Sequence, residues 1–166
     1  MNFCEICGEK LTEKECENCG ISEGIVPYCP NCKEFRFPHF NTAVSSVIYN
    51  YDFSKILLIK QYKKDYNILV AGYVNKGETL ECALKREIKE EVGLNIISFK
   101  FNESRYFEKS NSLICNFITN AENENFTLNN EVDFAKWYTG QEAKEAVFKN
   151  SFAEYFLNLS LSKIPF

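Results

Sequence analysis

The chain has 166 residues, a net charge of −4, 45% apolar content and 15% aromatic content. This suits one domain of ordinary size with a small appendage and supplies ample material for a packed core. The acidic balance argues against a nucleic-acid or anionic-membrane partner, which calls for excess cations, and no stretch approaches the ~18–20 continuous apolar residues of a membrane span.

The N-terminus, Met-Asn-Phe-Cys, has no charged segment leading into an apolar run. No secretory leader is read there, and a cytoplasmic location is expected. Eight cysteines follow along the chain, six of them in the C-x-x-C pairs Cys4/Cys7, Cys16/Cys19 and Cys29/Cys32. A C-x-x-C pair can turn both thiolates toward one ion, and two pairs complete a tetrahedral zinc site. In a reducing compartment this reading is preferred to a disulfide scaffold. The segment is too short to fold on its own core, and zinc can contribute ~10–16 kcal/mol of apparent binding energy to such a module. A zinc ribbon is therefore expected over residues 1–36, as a staple without a catalytic part. The knuckle C-E-I-C-G-E-K-L and the returning V-P-Y-C-P-N-C favour Cys4, Cys7, Cys29 and Cys32 as ligands. Cys16 and Cys19 then fall near the hairpin tip. The rival set is Cys16, Cys19, Cys29 and Cys32.

Residues 35–40, F-R-F-P-H-F, lead into the second part, 37–166. His39 is given no role. Thr42–Tyr49 and Lys55–Tyr62 are rich in β-branched and apolar residues and are expected as strands, with a turn between them. Asn67–Ala71 is expected as a third strand, ending at Gly72. A helix is expected from about Thr79 to a C-cap at Gly93. Strands are expected near Ile96–Phe101, Leu113–Ile118 and Phe134–Tyr138, with a polar loop over Asn120–Asp133. Thr139-x-x-Glu142 and Ser151-x-x-Glu154 are capping boxes, each opening a helix. Strands interleaved with helices suggest an α/β/α sandwich. Cys82 and Cys115 are expected as small buried hydrophobes.

Within the first of these helices, Glu87, Glu90 and Glu91 have the three-and-four spacing that places three carboxylates on one face. Leu80, Leu84, Ile88 and Val92 form an adjoining apolar stripe able to pack on a sheet. Like charges at this spacing cost ~0.2–0.5 kcal/mol per pair, and a divalent cation removes that cost, since carboxylate oxygens suit Mg²⁺.

The whole stretch Gly72–Leu94, G-Y-V-N-K-G-E-T-L-E-C-A-L-K-R-E-I-K-E-E-V-G-L, resembles the Nudix box at every fixed position: Gly72, Glu78, Arg86, Glu87, Ile88, Glu90, Glu91, Gly93 and Leu94. The resemblance implies a Nudix-type α/β/α sandwich and a hydrolase that cleaves nucleoside diphosphates linked to another group. By motif position, Glu87, Glu90, Glu91 and the Gly72 carbonyl would hold Mg²⁺ or Mn²⁺. Arg86 would orient a glutamate, and Glu78 would pair with Arg86 or meet metal through water. Glu90, Glu91 and Glu131, the last six residues before Trp137, are the candidate general bases. A box behind a zinc ribbon is similar to the NADH pyrophosphatase group, as are L-V-A-G-Y-V-N-K-G-E-T and F-R-F-P-H-F-N-T-A-V. That group's S-Q-P-W-P-F-P-x-S signature falls on Ser104–Ser112, here S-R-Y-F-E-K-S-N-S, which lacks the tryptophan and prolines. Phe107 could stack on a base, and Arg105 or Lys109 could meet phosphate. The expected substrate is a dinucleotide such as NADH or ADP-ribose. Other nucleotides, capped RNA ends, and a non-enzymatic nucleotide-sensing binding protein are the alternatives, and a homodimer is left open.

Overall fold

The computed structural model describes residues 2–18 and 21–164. The chain divides into two compact units, Met1–Phe40 and Asn41–Phe166. In the first, β1 (Thr12–Asn18) pairs antiparallel with β2 (Ile21–Cys29), and the two-residue β3 (Glu34–Phe35) pairs with the end of β2. Two knuckles flank this small sheet and turn alike. Gly8 and Lys33 follow the second cysteine of each pair, both with positive φ (75° and 59°). Each donates its N–H to the carbonyl of the first cysteine, Cys4 or Cys29, at 2.8 Å. A left-handed residue lets the chain reverse there and leaves both thiols on one side.

The second unit is a mixed sheet between helices. β4 (Asn41–Tyr49), β5 (Lys55–Gln61), β6 (Val70–Tyr73), β7 (Ile96–Phe107), β8 (Ser112–Ala121) and β9 (Val132–Thr139) form it. The order is β7-β8-β4-β5-β9, with β6 also on β4, and β4–β8 is the parallel pair. β4 carries two partners on one edge: β6 along Ala43–Ser46, then β5 at Ile48 and Tyr49. β5 splays from β4 where β6 enters, is bridged through Ile59 to Ile68 just ahead of β6, and beyond the bridge the sheet opens between β5 and β6.

Alternation along the strands divides the core. Val44, Ile48, Leu57, Ile59 and Phe117 meet α1 (Leu80–Val92) on one face. Val47, Tyr49, Ile56, Leu58 and Ile118 meet α2 (Gly140–Ala146) and α3 (Phe152–Lys163) on the other. The helix is set by its ends: Thr79 accepts from Cys82 N, and Gly93, with φ of 70°, donates to Lys89 O. Thr139 and Glu142 complete a reciprocal capping box. Ser151 caps α3, but Glu154 accepts instead from Asn150 N.

Three further expectations change. The strand expected at Asn67–Ala71 is β6 at Val70–Tyr73. Gly72 lies within it, since pairing with β4 starts only at Val70. The strand expected near Ile96–Phe101 is longer: β7 runs on to Phe107, and Ser104–Ser112 makes its hairpin with β8 through a short 3-10 turn ended by Asn111, with φ of 48°. A bulge between Phe101 and Glu103 re-phases β7, so that Phe99 and Phe101 meet Phe117 while Glu103 and Phe107 face α3. Cys82 is exposed, because it lies about 200° around the helix from buried Leu84; Cys115 is buried, as expected. Among the described residues, no helix is long and apolar enough to cross a membrane.

Replacing fully buried Ile88 by alanine is expected to lower stability by about 2–5 kcal/mol in urea unfolding. Cys82→Ser, on the same helix, should change it by less than about 0.5 kcal/mol. Equal losses would contradict this placement of α1.

Candidate active site and thiol cluster

The opening between β5 and β6 faces the charged side of α1 and forms a cleft of about 410 Å³. Glu87, Glu90 and Glu91 line it from the helix, Gly72 from β6, Gln61 from the end of β5 and Glu131 from the loop before β9. Helix and sheet approach so closely that a Cβ placed on Gly72 would lie 1.9 Å from Glu87 Cδ. Glycine is required here because the carboxylate occupies the space of a side chain. The Gly72 carbonyl and this carboxylate belong to neighbouring backbone and side-chain walls of the same cleft.

Arg86 organises the helix face. Its five N–H donors make five hydrogen bonds: two to Glu78 (2.8 Å each), one to Glu87 (2.6 Å), one to Glu90 (3.2 Å) and one to the Tyr73 carbonyl (3.0 Å). The fork explains why an arginine stands there, since a lysine ammonium could not span three carboxylates in these directions. Glu78 also accepts from Asn75 N at 3.0 Å. Arg86 first, and this N–H second, hold the Glu78 carboxyl down at about 2. Glu78 is thus a permanent anion paired with Arg86.

Glu91 behaves differently. It is 4% exposed, and its Oε2 is buried without a hydrogen-bond partner. Burial pushes its pKa up to about 8. The Gln61 amide lies close enough to oppose this without completing a hydrogen bond, while the charges of Glu87, Glu131 and Glu90 add to it. An orphaned buried oxygen among acidic neighbours suits a divalent cation, whose oxygen-ligand chemistry matches this donor set. Glu131 comes from the loop 122–131, which is pinned to the end of α1 by Thr127 N to Val92 O (2.9 Å) and Asn129 N to Glu91 O (3.3 Å). Asn129 Oδ1 accepts from Glu131 N and Val132 N, fixing the turn into β9.

The structure does not bring Arg105, Phe107 and Lys109 to this cleft. They lie on the β7–β8 hairpin, and Arg105 and Phe107 face α3 on the opposite side of the sheet from α1. Arg105 lies over the Tyr155 ring at 3.8 Å, Phe107 packs on Phe152 at 5.4 Å, and Lys109 borders a hollow with Phe148 and Phe152. Gln61 and Tyr62, which do line the cleft, carried no motif. Gln61 ends β5 and Tyr62 follows it in a turn, after a bulge between Lys60 and Gln61 that breaks the register with β9.

In the N-terminal unit, Cys4, Cys7, Cys29 and Cys32 bring their sulfurs within 4.8 Å of one another. Recorded pairs are 3.9 Å (Cys4–Cys32), 3.5 Å (Cys7–Cys29) and 3.4 Å (Cys7–Cys32). A tetrahedron with ~2.3 Å metal–sulfur bonds has edges of about 3.8 Å, so the set fits a four-thiolate ion. Buried Arg36 donates from Nε to Cys4 Sγ at 3.3 Å and binds Glu34 at 2.9 Å. Burial raises the Cys4 thiol, but the Cys7 and Ile6 backbone N–H groups and Arg36 outweigh it and bring it down to about 6. The hydrogen bond with Cys7, with burial, sends Cys32 the other way, to about 12. Four neighbouring thiols cannot all ionise without a cation to share. Cys16 is buried in β1 and is not a member of this cluster; Cys19 lies outside the described residues.

Glu91 makes a pH test possible. Its folded-state pKa of about 8 lies above the ordinary 4.5, so the native state holds the extra proton between these values. The contribution is favourable at the low end and is lost as pH rises through the window, by on the order of a few kcal/mol at ~1.36 kcal/mol per unit. Urea unfolding of metal-free protein at pH 5, 6.5 and 8 should show this decline as the difference between wild type and Glu91→Gln, in which the thiol cluster titrates alike. Whatever the variant's own stability, a difference that stays constant with pH would contradict the burial account.

The NUDIX domain family profile matches residues 39–158. Curated relatives include a protein named NAD-capped RNA hydrolase NudC from Pseudomonas aeruginosa, 22% identical over 162 residues. That alignment covers 97% of this chain and 56% of the relative. A protein of the same name from Haemophilus influenzae is 26% identical over 144 residues, covering 82% of this chain and 51% of that one. The chain therefore spans about half the length of the curated relatives it matches. Among solved structures, a NUDIX hydrolase from Nitrosomonas europaea superposes with a TM-score of 0.66 at 20% identity, over 95% of this chain and 88% of that one. The NUDIX domain of Shewanella oneidensis NrtR, solved with ADP ribose, gives 0.65 at 14% identity over 83% and 94%. With its cleft built from the box residues and the family profile spanning most of its length, this chain belongs to the Nudix family.

Proposed function

We propose that the chain is a divalent-metal-dependent hydrolase that cleaves the diphosphate of a nucleoside diphosphate-linked substrate, an adenine dinucleotide such as NADH or ADP-ribose being the expected class. The observation that carries this reading is the gathering of Glu87, Glu90 and Glu91 with Gly72 and Glu131 around one cleft. Glu87, Glu90, Glu91 and the Gly72 carbonyl would hold Mg²⁺ or Mn²⁺. When bound, such a cation neutralises phosphate charge and makes water more acidic. Arg86 positions Glu87 and Glu90, and Glu78 keeps Arg86 in place. Glu131 comes from a different element and is not engaged by Arg86. In this reading it takes the proton from the attacking water, while Glu90 and Glu91 serve the cation.

Arg105, Phe107 and Lys109 have no part in this scheme, because they stand on the hairpin rather than at the cleft. The loss of prolines and tryptophan from Ser104–Ser112 is then a change in hairpin packing. A second reading, a capped RNA end, is favoured by the names of the curated relatives. It asks for the same bond cleavage, since such a cap also presents a diphosphate. The thiol cluster is proposed to hold one structural Zn²⁺ in a ribbon over residues 1–36, with the hydrolase domain at 37–166. Sulfur spacing close to a tetrahedral edge supports this. Arg36 would offset one of the two surplus negative charges of four thiolates on one Zn²⁺.

Hydrolysis of a nucleotide panel with Mg²⁺ or Mn²⁺ should release nucleoside monophosphates from dinucleotides. Glu90→Gln should lower kcat by about two orders of magnitude or more, with the unfolding midpoint held or raised. Wild-type hydrolysis in Glu90→Gln would overturn the proposed site.

Native mass spectrometry should show one zinc per chain. Cys4→Ser and Cys29→Ser should lose it, and Cys16→Ser should retain it. Loss in Cys16→Ser with retention in Cys4→Ser would reverse the ligand assignment.

A further inference from the structure

The turn that follows β5 stands on an unfavourable backbone. Lys64 N donates to Gln61 O at 3.1 Å, closing a four-residue turn. Its central residues, Tyr62 and Lys63, have φ of 54° and 58°. Positive φ at both central positions is the pattern of a primed turn, usually filled by Asn and Gly because a Cβ is crowded there. Here the positions hold a tyrosine and a lysine. Such a conformation persists only where its surroundings over-determine it, and such residues gather at functional sites.

The surroundings are specific. A bulge between Lys60 and Gln61, where β5 leaves its register with β9, directs the chain into the turn. Lys63 N donates to Asp133 Oδ2 at 2.5 Å. Tyr62 is joined to Glu131 at two points: its N–H donates to the Glu131 carbonyl (3.2 Å) and its hydroxyl to Glu131 Oε2 (2.9 Å). Packing does not account for the tyrosine, which is 62% exposed although it lines the cleft. The Glu131 carboxylate beside it pushes the phenol above its ordinary range, so the hydroxyl remains the donor.

We propose that Tyr62 is a positioning residue, whose strained turn and hydroxyl hold the Glu131 carboxylate at the mouth of the glutamate cleft. The inference rests on the assignment of Glu131 as proton acceptor. Without the hydroxyl, Glu131 would be fixed through its backbone alone, by Asn129 and the Tyr62 N–H. With it, the carboxylate is tied at one oxygen, and the other is directed by that bond.

The test compares wild type, Tyr62→Phe, the paired change Tyr62→Asn with Lys63→Gly, and Glu131→Gln, alone and combined. It reads kcat, KM and the unfolding midpoint of metal-free protein. Tyr62→Phe keeps the ring and should lower kcat roughly tenfold with KM little changed, as part of the ~10²–10⁴-fold that a positioned base contributes. The Asn-Gly pair relieves the turn, so it should raise the midpoint while lowering kcat in the same way. In the Glu131→Gln background neither change should lower kcat further. Wild-type kcat in Tyr62→Phe beside an impaired Glu131→Gln overturns the inference and leaves the base assignment standing. So does an additive loss in the combined variant. A lowered midpoint in the Asn-Gly variant contradicts the strained turn. Wild-type kcat in Glu131→Gln overturns the base assignment, and this inference with it.

Discussion

The carboxylates of Glu87, Glu90 and Glu91 share one helix face, and the guanidinium of Arg86 meets two of them. Most of the site depends on how that concentration of charge is arranged. Arg86 keeps Glu87 and Glu90 apart in direction, and Glu78 keeps Arg86 from leaving them. Glu91 lies beyond the fork, buried, with one oxygen unmatched. A helix face in this condition is costly on electrostatic grounds, and a bound divalent cation would remove that cost.

The same helix also carries the core. Leu84, Ile88 and Val92 are buried on the sheet, and Glu91 sits between the last two. Because the apolar stripe and the acidic face share one rigid element, the packing that stabilises the domain also sets the distance from Glu87 to Gly72. That distance leaves no room for a Cβ, so the glycine and the glutamate form one structural unit. The splay of β5 from β4 and the bulge between Lys60 and Gln61 supply the remaining wall, lined by Gln61 and Tyr62.

Much of this was legible in the residues. The helix bounds at Thr79 and Gly93 follow from capping chemistry. The pairing of Glu78 with Arg86 was one of two expected roles, and the four clustered cysteines are the favoured set. What escaped depends on distant partners. Gly72 marked a strand end from sequence, yet lies inside β6, because its tolerance there comes from a glutamate on another element. Ser104–Ser112 kept a familiar spacing, which said nothing of a bulge at Asn102 that turns Phe107 toward α3. Tyr62 carried no local signal at all, since its φ and its bond to Glu131 are set by where two loops meet. Cys82, expected to be buried as cysteines commonly are, is exposed because its angle around α1 points away from the apolar stripe.

The glutamate face over Gly72 is proposed as a divalent-cation site. The most direct measurement is an anomalous difference map from crystals of the protein soaked in Mn²⁺. A peak is expected within bonding distance of carboxylate oxygens of Glu87, Glu90 and Glu91 and near the Gly72 carbonyl, lost in crystals of Glu90→Gln or Glu91→Gln. A map with no density there, at Mn²⁺ concentrations that support hydrolysis, would contradict it.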